Sequence, residues 1–272
     1  MAQVQYTPFE AAKQKIAESA EKISKLFIWA IILGIITIIL VIVAVVIAIV
    51  GTGASFEFDI SNPYELISTM FGAIIGLAVV VLIAGIAFFI IMIMIYINYY
   101  QLGKGFDILG QADPMAFNAK NASYGFYAYI IGIIIGFFVP NVGGVVISLL
   151  GNIALGVGFY FAYQTFKQYQ QEGRLQVTPS YHALVGVSLS IIGNIINFSR
   201  FGFGGILSLI GFIFFLIGLR NISREVVMIA PPSEQAAPVT PATPAEQTKF
   251  CSNCGAKNNI NDKFCANCGG DL

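Results

Sequence analysis

The chain has 272 residues, of which 57% are apolar and 10% charged, and its mean hydropathy is +0.81. Water-soluble domains are roughly 45–50% apolar and about 25% charged, so this composition excludes an ordinary soluble domain and points to the membrane. Fourteen Lys and Arg balance fourteen Asp and Glu, which offers no basic surface for nucleic acid. There is one His, and all four Cys fall within the last 22 residues.

Residues 1–25 hold an amphipathic helix over 8–25. Phe9, Ala12, Ile16, Ala20, Ile23 and Phe27 recur at helical spacing, and Glu18/Lys22 and Glu21/Lys25 are favourable i,i+4 pairs. Thr7-Pro8-Phe9-Glu10 reads as its start, with Thr7 as N-cap, Pro8 in the first helical position and Glu10 completing a capping box. The helix has three ways to sit: on the membrane surface, against the other loops of its side, or as a solvated extension of the first span. Ser19-Ala20-Glu21-Lys22 matches a Ser-x-x-Lys pattern and is read as coincidence.

Residues 26–222 read as six transmembrane helices. Leu26–Val50 is uncharged for 25 residues, longer than a secretory h-region, and Leu66–Ile97 runs for 32, enough to tilt or to project into the interface. Tyr124–Val139 and Gly143–Phe166 flank the break Pro140-Asn141-Val142, and Tyr181–Phe198 and Gly204–Leu219 flank Ser199-Arg200-Phe201. With six spans both termini share a side. Thirteen of the fourteen Lys and Arg fall on that side, leaving only Arg200 on the other. The positive-inside rule places the protein in the cell membrane with N- and C-termini cytoplasmic. Trp29, Tyr96, Tyr99, Tyr100, Tyr124, Tyr127, Tyr163 and Tyr181 cluster at span ends and read as interfacial anchors.

The membrane region repeats itself. Ile130–Gly144 and Ile191–Gly205 are identical at eight of 15 positions at an offset of 61, and residues 147–158 match 207–218 at an offset of 60. Two copies of one helical hairpin follow, about 114–170 and 179–222, with spans 1–2 as a third, more diverged one. Asp113-Pro114 and Thr178-Pro179 read as N-cap and first helical position of spans 3 and 5. Glycines recur at sevens, as in Gly125/Gly132, Gly144/Gly151/Gly158, Gly186/Gly193 and Gly204/Gly211/Gly218, and line one face of each helix. Such stripes let backbones approach closely, within the chain or between copies in a homo-oligomer.

Residues 223–248 form a disordered linker; 230–248 has five Pro in 19 residues, with a reach of up to about 60 Å. Residues 249–272 carry Cys251-x2-Cys254 and Cys265-x2-Cys268 in a repeated Lys-Phe-Cys-x-Asn-Cys-Gly frame, offset by 14. Two residues between thiols let a tight turn aim both sulfurs at one ion. Gly255 and Gly269 permit positive φ just after each pair. Four thiolates suit Zn²⁺ and leave no open position, so the metal is structural. Metal binding would also supply the folding free energy that 24 residues, with Phe250 and Phe264 as their core, lack. Two disulfides or an iron tetrathiolate are the alternatives, and a reducing cytoplasm disfavours the first.

The two CxxCG knuckles resemble the short zinc-ribbon family found at the ends of membrane proteins, which implies Cys251, Cys254, Cys265 and Cys268 as ligands. The glycine-punctuated hairpins are similar to archaeal multi-pass membrane families of unknown function, and that likeness implies no activity. The fold class is thus an all-α polytopic membrane protein with repeated helical hairpins and a small C-terminal zinc ribbon.

No span carries paired carboxylates, a His-rich metal motif or a Ser/Lys dyad, and Gly103-Lys104-Gly105 lacks the P-loop spacing, so an enzyme is not expected. The leading expectation is a non-enzymatic anchor or scaffold whose ribbon binds a cytoplasmic protein partner. The alternative is a channel or transporter for a small neutral solute, with the ribbon as a regulatory tail. Asn194 and Asn197, on one helix face, would line such a path or else bond neighbouring helices, as would Asn98 and Asn152. His182 reads as a satisfied interfacial residue rather than a proton relay.

Overall fold

The computed structural model describes residues 7–53, 63–139, 142–198, 204–232, 248–250, 257–259, 263–264 and 267–271. Among these are six α-helices: α1 Pro8–Gly53, α2 Pro63–Ala112, α3 Phe117–Phe138, α4 Val142–Gln171, α5 His182–Phe198 and α6 Gly204–Val227. Two short strands follow, β1 Thr248–Phe250 and β2 Lys257–Asn259. All the helices but α5 are long and apolar enough to cross a membrane. With 17 residues, α5 measures about 26 Å. The chain divides after Pro231 into a helical unit and a C-terminal unit.

In the helical unit each helix packs on its neighbours in sequence, and α6 packs on α1, which closes the order into a ring. The heaviest packing falls within α1–α2, α3–α4 and α5–α6, so the unit is three hairpins. Six helices in three hairpins are present as expected, five of them long and apolar enough to span a membrane.

The glycine stripes meet inside the hairpins. A Cβ at Gly125 would lie 2.5 Å from the Cα of Gly158 and 2.8 Å from the carbonyl oxygen of Ala154, and one at Gly132 would lie 2.9 Å from the Cα of Gly151. The repeat would carry this register to Gly186 against Gly218. Instead Gly186 faces Gly211 and Phe215, and Gly218 faces Ala183. The second hairpin is therefore slid by three residues, about 4.5 Å, relative to the first. Its connection, 199–203, is two residues longer than 139–141, which leaves room for the slide.

The first two helices are far longer than a bilayer is thick. The 46 residues of α1 and 50 of α2 extend about 69 and 75 Å, against roughly 30 Å of hydrocarbon. What projects past the apolar runs is not solvated helix. Phe9, Ala12, Ile16, Ala20 and Ile23 of α1 are buried with Leu102, Phe106 and Leu109 of α2, Ala116 and Ala119 around the start of α3, and Phe166, Tyr169 and Leu175 at the end of α4. A Cβ at Gly105 would come 2.6 Å from Ile16 Cγ1, so α1 and α2 touch closely there. The amphipathic segment thus extends span 1 and docks as well, forming a juxtamembrane head. Here burial removes apolar surface from water, a drive that helices gain little from inside lipid. Farther along, Ile38 of α1 and Leu82 of α2 are more than half exposed, as lipid-facing side chains would be.

Several local expectations are corrected. The helix of the span expected to end at Ile97 continues to Ala112 and takes in Lys104 and Asp107. Asp113-Pro114 does not cap α3: that helix begins at Phe117, and its N-cap, Ala116, makes no side-chain hydrogen bond. Asp113 is instead buried in the turn before it, with Oδ1 accepting the Met115 N–H at 3.1 Å. Thr178-Pro179 lies three residues ahead of α5, and Ser180 accepts the His182 N–H at 3.3 Å in its place. Thr7 does cap α1, accepting the Glu10 N–H at 3.3 Å, whereas Glu10 turns to Lys13. Trp29, Tyr100, Tyr124 and Tyr181 are exposed as anchors should be. Tyr99 is not: it is buried against Phe126 and Tyr129, because the head continues the core past the end of span 2.

Candidate functional site

The four cysteines expected to hold a metal belong to the C-terminal unit, which is described only in part. β1 and β2 pair antiparallel with Thr248 opposite Asn259, Lys249 opposite Asn258 and Phe250 opposite Lys257. Phe264 bridges Asp271 in the same sense. Phe250–Lys257 and Phe264–Asp271 are each seven residues apart and are related by the offset of 14. In sequence, each CxxC thus falls between the two residues of one antiparallel bridge. Cys251, Cys254 and Cys265 lie outside the described residues, as does Gly255. Cys268 sits exposed in the turn at 267–268, followed by Gly269 with φ +72°, the positive φ expected there. By donor chemistry, four thiols suit a tetrahedrally bound metal ion.

The chain that leads to this unit is fastened before it leaves the head. Gly173, φ +72°, ends α4 and turns the backbone so that the N–H groups of Arg174 and Leu175 both return to the carbonyl of Tyr169, at 2.9 and 3.1 Å. This aims Arg174 at two targets. Its Nη1 donates to Asp113 Oδ2 at 2.6 Å, and its Nε and Nη2 donate to the carbonyl of Ala230 at 3.2 and 3.0 Å. The Ala230 N–H returns to the Arg174 carbonyl at 2.9 Å. From α1, the buried Lys13 donates to the Ile229 carbonyl at 2.7 Å and to Glu10 at 3.1 Å. The Arg174 guanidinium stacks over Tyr169 at 4.6 Å and Phe9 at 5.3 Å. Burial, and then the Asp113 carboxylate, push the Tyr169 phenol far above its ordinary range. Asp113, Arg174 and Lys13 had no role in the sequence reading beyond a cap and a charge count. The Glu-Gly-Arg at the end of α4 was the one local signal, a glycine where a helix stops.

A second polar cluster joins the start of α5 to the end of α6. Ser180 donates its N–H to Glu225 Oε1 at 2.9 Å. The Ser180 Oγ accepts from Asn221 Nδ2 at 2.9 Å and from the His182 N–H, and lies 2.6 Å from His182 Nδ1. With two donors already on the hydroxyl, its own proton points to Nδ1, which leaves the proton of a neutral ring on Nε2. The ring is stacked between Tyr181 and Phe214 at 5.5 and 5.8 Å. Glu225 is 6% exposed and its Oε2 has no hydrogen-bond partner among the described residues. Burial raises its carboxyl above the usual range, and the Ser180 N–H partly opposes that.

The other polar residues singled out in the spans stay apart. Asn98 and Asn152 bond carbonyls of their own helices, Met94 at 2.8 Å and Ser148 at 2.9 Å, rather than a neighbour. Asn194 and Asn197 are exposed on α5. Comparison of the chain with protein-family models, with curated proteins and with solved structures found no match.

Proposed function

We propose that the chain is a non-enzymatic, six-span membrane scaffold that presents a structural zinc module, on a proline-rich tether, to a protein partner in the cytoplasm. The observation that carries this reading is the fastening of Ile229 and Ala230 by Lys13 and Arg174. The tether on this reading begins at a clamped residue. The tail beyond it forms its own unit, and its repeated antiparallel bridges across two CxxC pairs support one tetrathiolate Zn²⁺ held by Cys251, Cys254, Cys265 and Cys268. Its three Lys and two Asp, without a basic stripe, favour a protein over nucleic acid. The 13-to-1 division of Lys and Arg supports the cytoplasmic assignment of both termini.

The test is crosslinking and mass spectrometry of the intact protein in native membranes, against a Phe250–Leu272 deletion and a Cys265→Ser form. The expected result is a partner set lost in both, with membrane insertion retained. Elemental analysis should find zinc in the intact chain and lose it in Cys265→Ser. An identical partner list for all three forms would overturn the reading.

A further inference from the structure

The cleft between the start of α5 and the end of α6 has a volume of about 390 Å³ and is lined by Thr178, Tyr181, His182, Arg224, Glu225 and Met228 among others. It holds one acidic and one basic side chain, and neither forms an ion pair among the described residues. Glu225 Oε2 is buried without a donor, although its Oε1 is satisfied by the Ser180 N–H. Arg224 has no carboxylate within 4.0 Å among the described residues, unlike Lys13, Lys22, Lys25 and Arg174. A buried carboxylate oxygen without a donor is costly, so the missing donor is best supplied from outside.

The level of the cleft narrows the source. The apolar run of α6 ends at Leu219. Arg224 and Glu225 stand five and six residues on, about 8–9 Å along the axis, which is the depth of the headgroup region beside the hydrocarbon. The rim is amphipathic: Tyr181 and Met228 are each more than half exposed.

We propose that this cleft binds a zwitterionic phospho-amine of the phosphoethanolamine class, with Arg224 on the phosphate and the Glu225 carboxylate on the primary ammonium. A guanidinium suits a phosphate, and a primary ammonium carries the N–H that Oε2 lacks. A quaternary ammonium has no such hydrogen, and a glycerol headgroup has no positive charge. Both charges of the ligand are separated by only two carbons and an oxygen, a span that two side chains lining one cleft can bracket. The proposal stands independently of the zinc module.

Native mass spectrometry of the full-length protein, offered phosphatidylethanolamine, phosphatidylcholine and phosphatidylglycerol with identical chains, tests it. Phosphatidylethanolamine should be retained over both others by at least about tenfold, the scale of one charge-assisted hydrogen bond. Glu225→Gln should erase that preference. Arg224→Gln, at an exposed side chain with no ion-pair partner, should lower retention of phosphatidylethanolamine and phosphatidylglycerol together, and it serves if Glu225→Gln fails to fold. Displacement of the lipid by soluble phosphoethanolamine would assign the site to the free headgroup compound. Persistence of the lipid would assign it to the membrane, and either supports the chemistry. Equal retention of the three lipids, or a preference unchanged in both variants, would overturn it.

Discussion

Asp113 and Arg174 stand 61 residues apart, the spacing of the hairpin repeat, and they pair with each other, Nη1 to Oδ2 at 2.6 Å. The two connections ahead of the two hairpins thus contribute opposite charges at equivalent positions, and the copies are stapled together where they enter the bundle. The same guanidinium holds Ala230, so one side chain joins both repeats to the root of the tail.

Replacing Arg174 by Gln strands a carboxylate that is almost wholly buried. Loss of one partner of a buried pair typically costs about 3–5 kcal/mol. The melting temperature in detergent should fall steeply, and limited proteolysis between 231 and 247 should accelerate as Ala230 is released. Arg174→Lys keeps the charge but not the fork of donors, so it should fall between the two. Unchanged melting and cleavage in Arg174→Gln would show that the staple is idle.

The glycine contacts predict a sharp contrast within one residue type. Gly125→Ala drives a methyl into the backbone of Gly158, an overpacking that should cost about 1–3 kcal/mol. Gly85→Ala meets nothing within 4 Å and should be neutral or slightly stabilising through helix propensity. Denaturation of the two purified variants side by side checks this; equal effects would mean that α3 and α4 do not meet at their glycines.

The head predicts where a water-driven core lies. Ile16→Ala, at a fully buried site, should cost about 2–5 kcal/mol. Ile38→Ala, on the same helix but mostly exposed, should change stability little. If the two substitutions prove equivalent in thermal unfolding, the N-terminal segment is not docked.

Glu225 makes stability depend on pH with a definite sign. Its folded pKa is raised above the usual carboxylate value by burial. Below pH ~4 the group is protonated in the folded and unfolded states alike and contributes nothing. As pH rises, the unfolded chain releases the proton first, so stability is lost between the ordinary value and the raised one, then stays level. Glu225→Gln escapes this loss. In the absence of added lipid, its melting temperature should gain on the parent as pH rises through that window. Parallel melting curves from acid to neutral pH would rule Glu225 out as the cause.

Much of the fold could be read from residues alone, because hydrocarbon length and charge exclusion act on composition rather than on contacts. That is why Leu26–Val50 and Leu66–Ile97 announce spans, and why the repeat at 130–144 and 191–205 shows hairpins. The expectation of a metal at the CxxC frames rests on local features alone, ligand type and spacing. The tertiary structure decided what depends on partners distant in sequence. Asp113 read as a cap, because Asp-Pro before a helix usually is one; it is a buried counter-ion, because Gly173 swings Arg174 onto it. Tyr99 read as an anchor, because it follows a span; it is core, because Phe126 and Tyr129 of α3 pack against it. Glu225 and Ser180 were ordinary polar residues until two helix ends met. A chain states which segments leave water, since that is a property of each segment, but which buried charges find one another is settled only when separate segments share the same few ångströms.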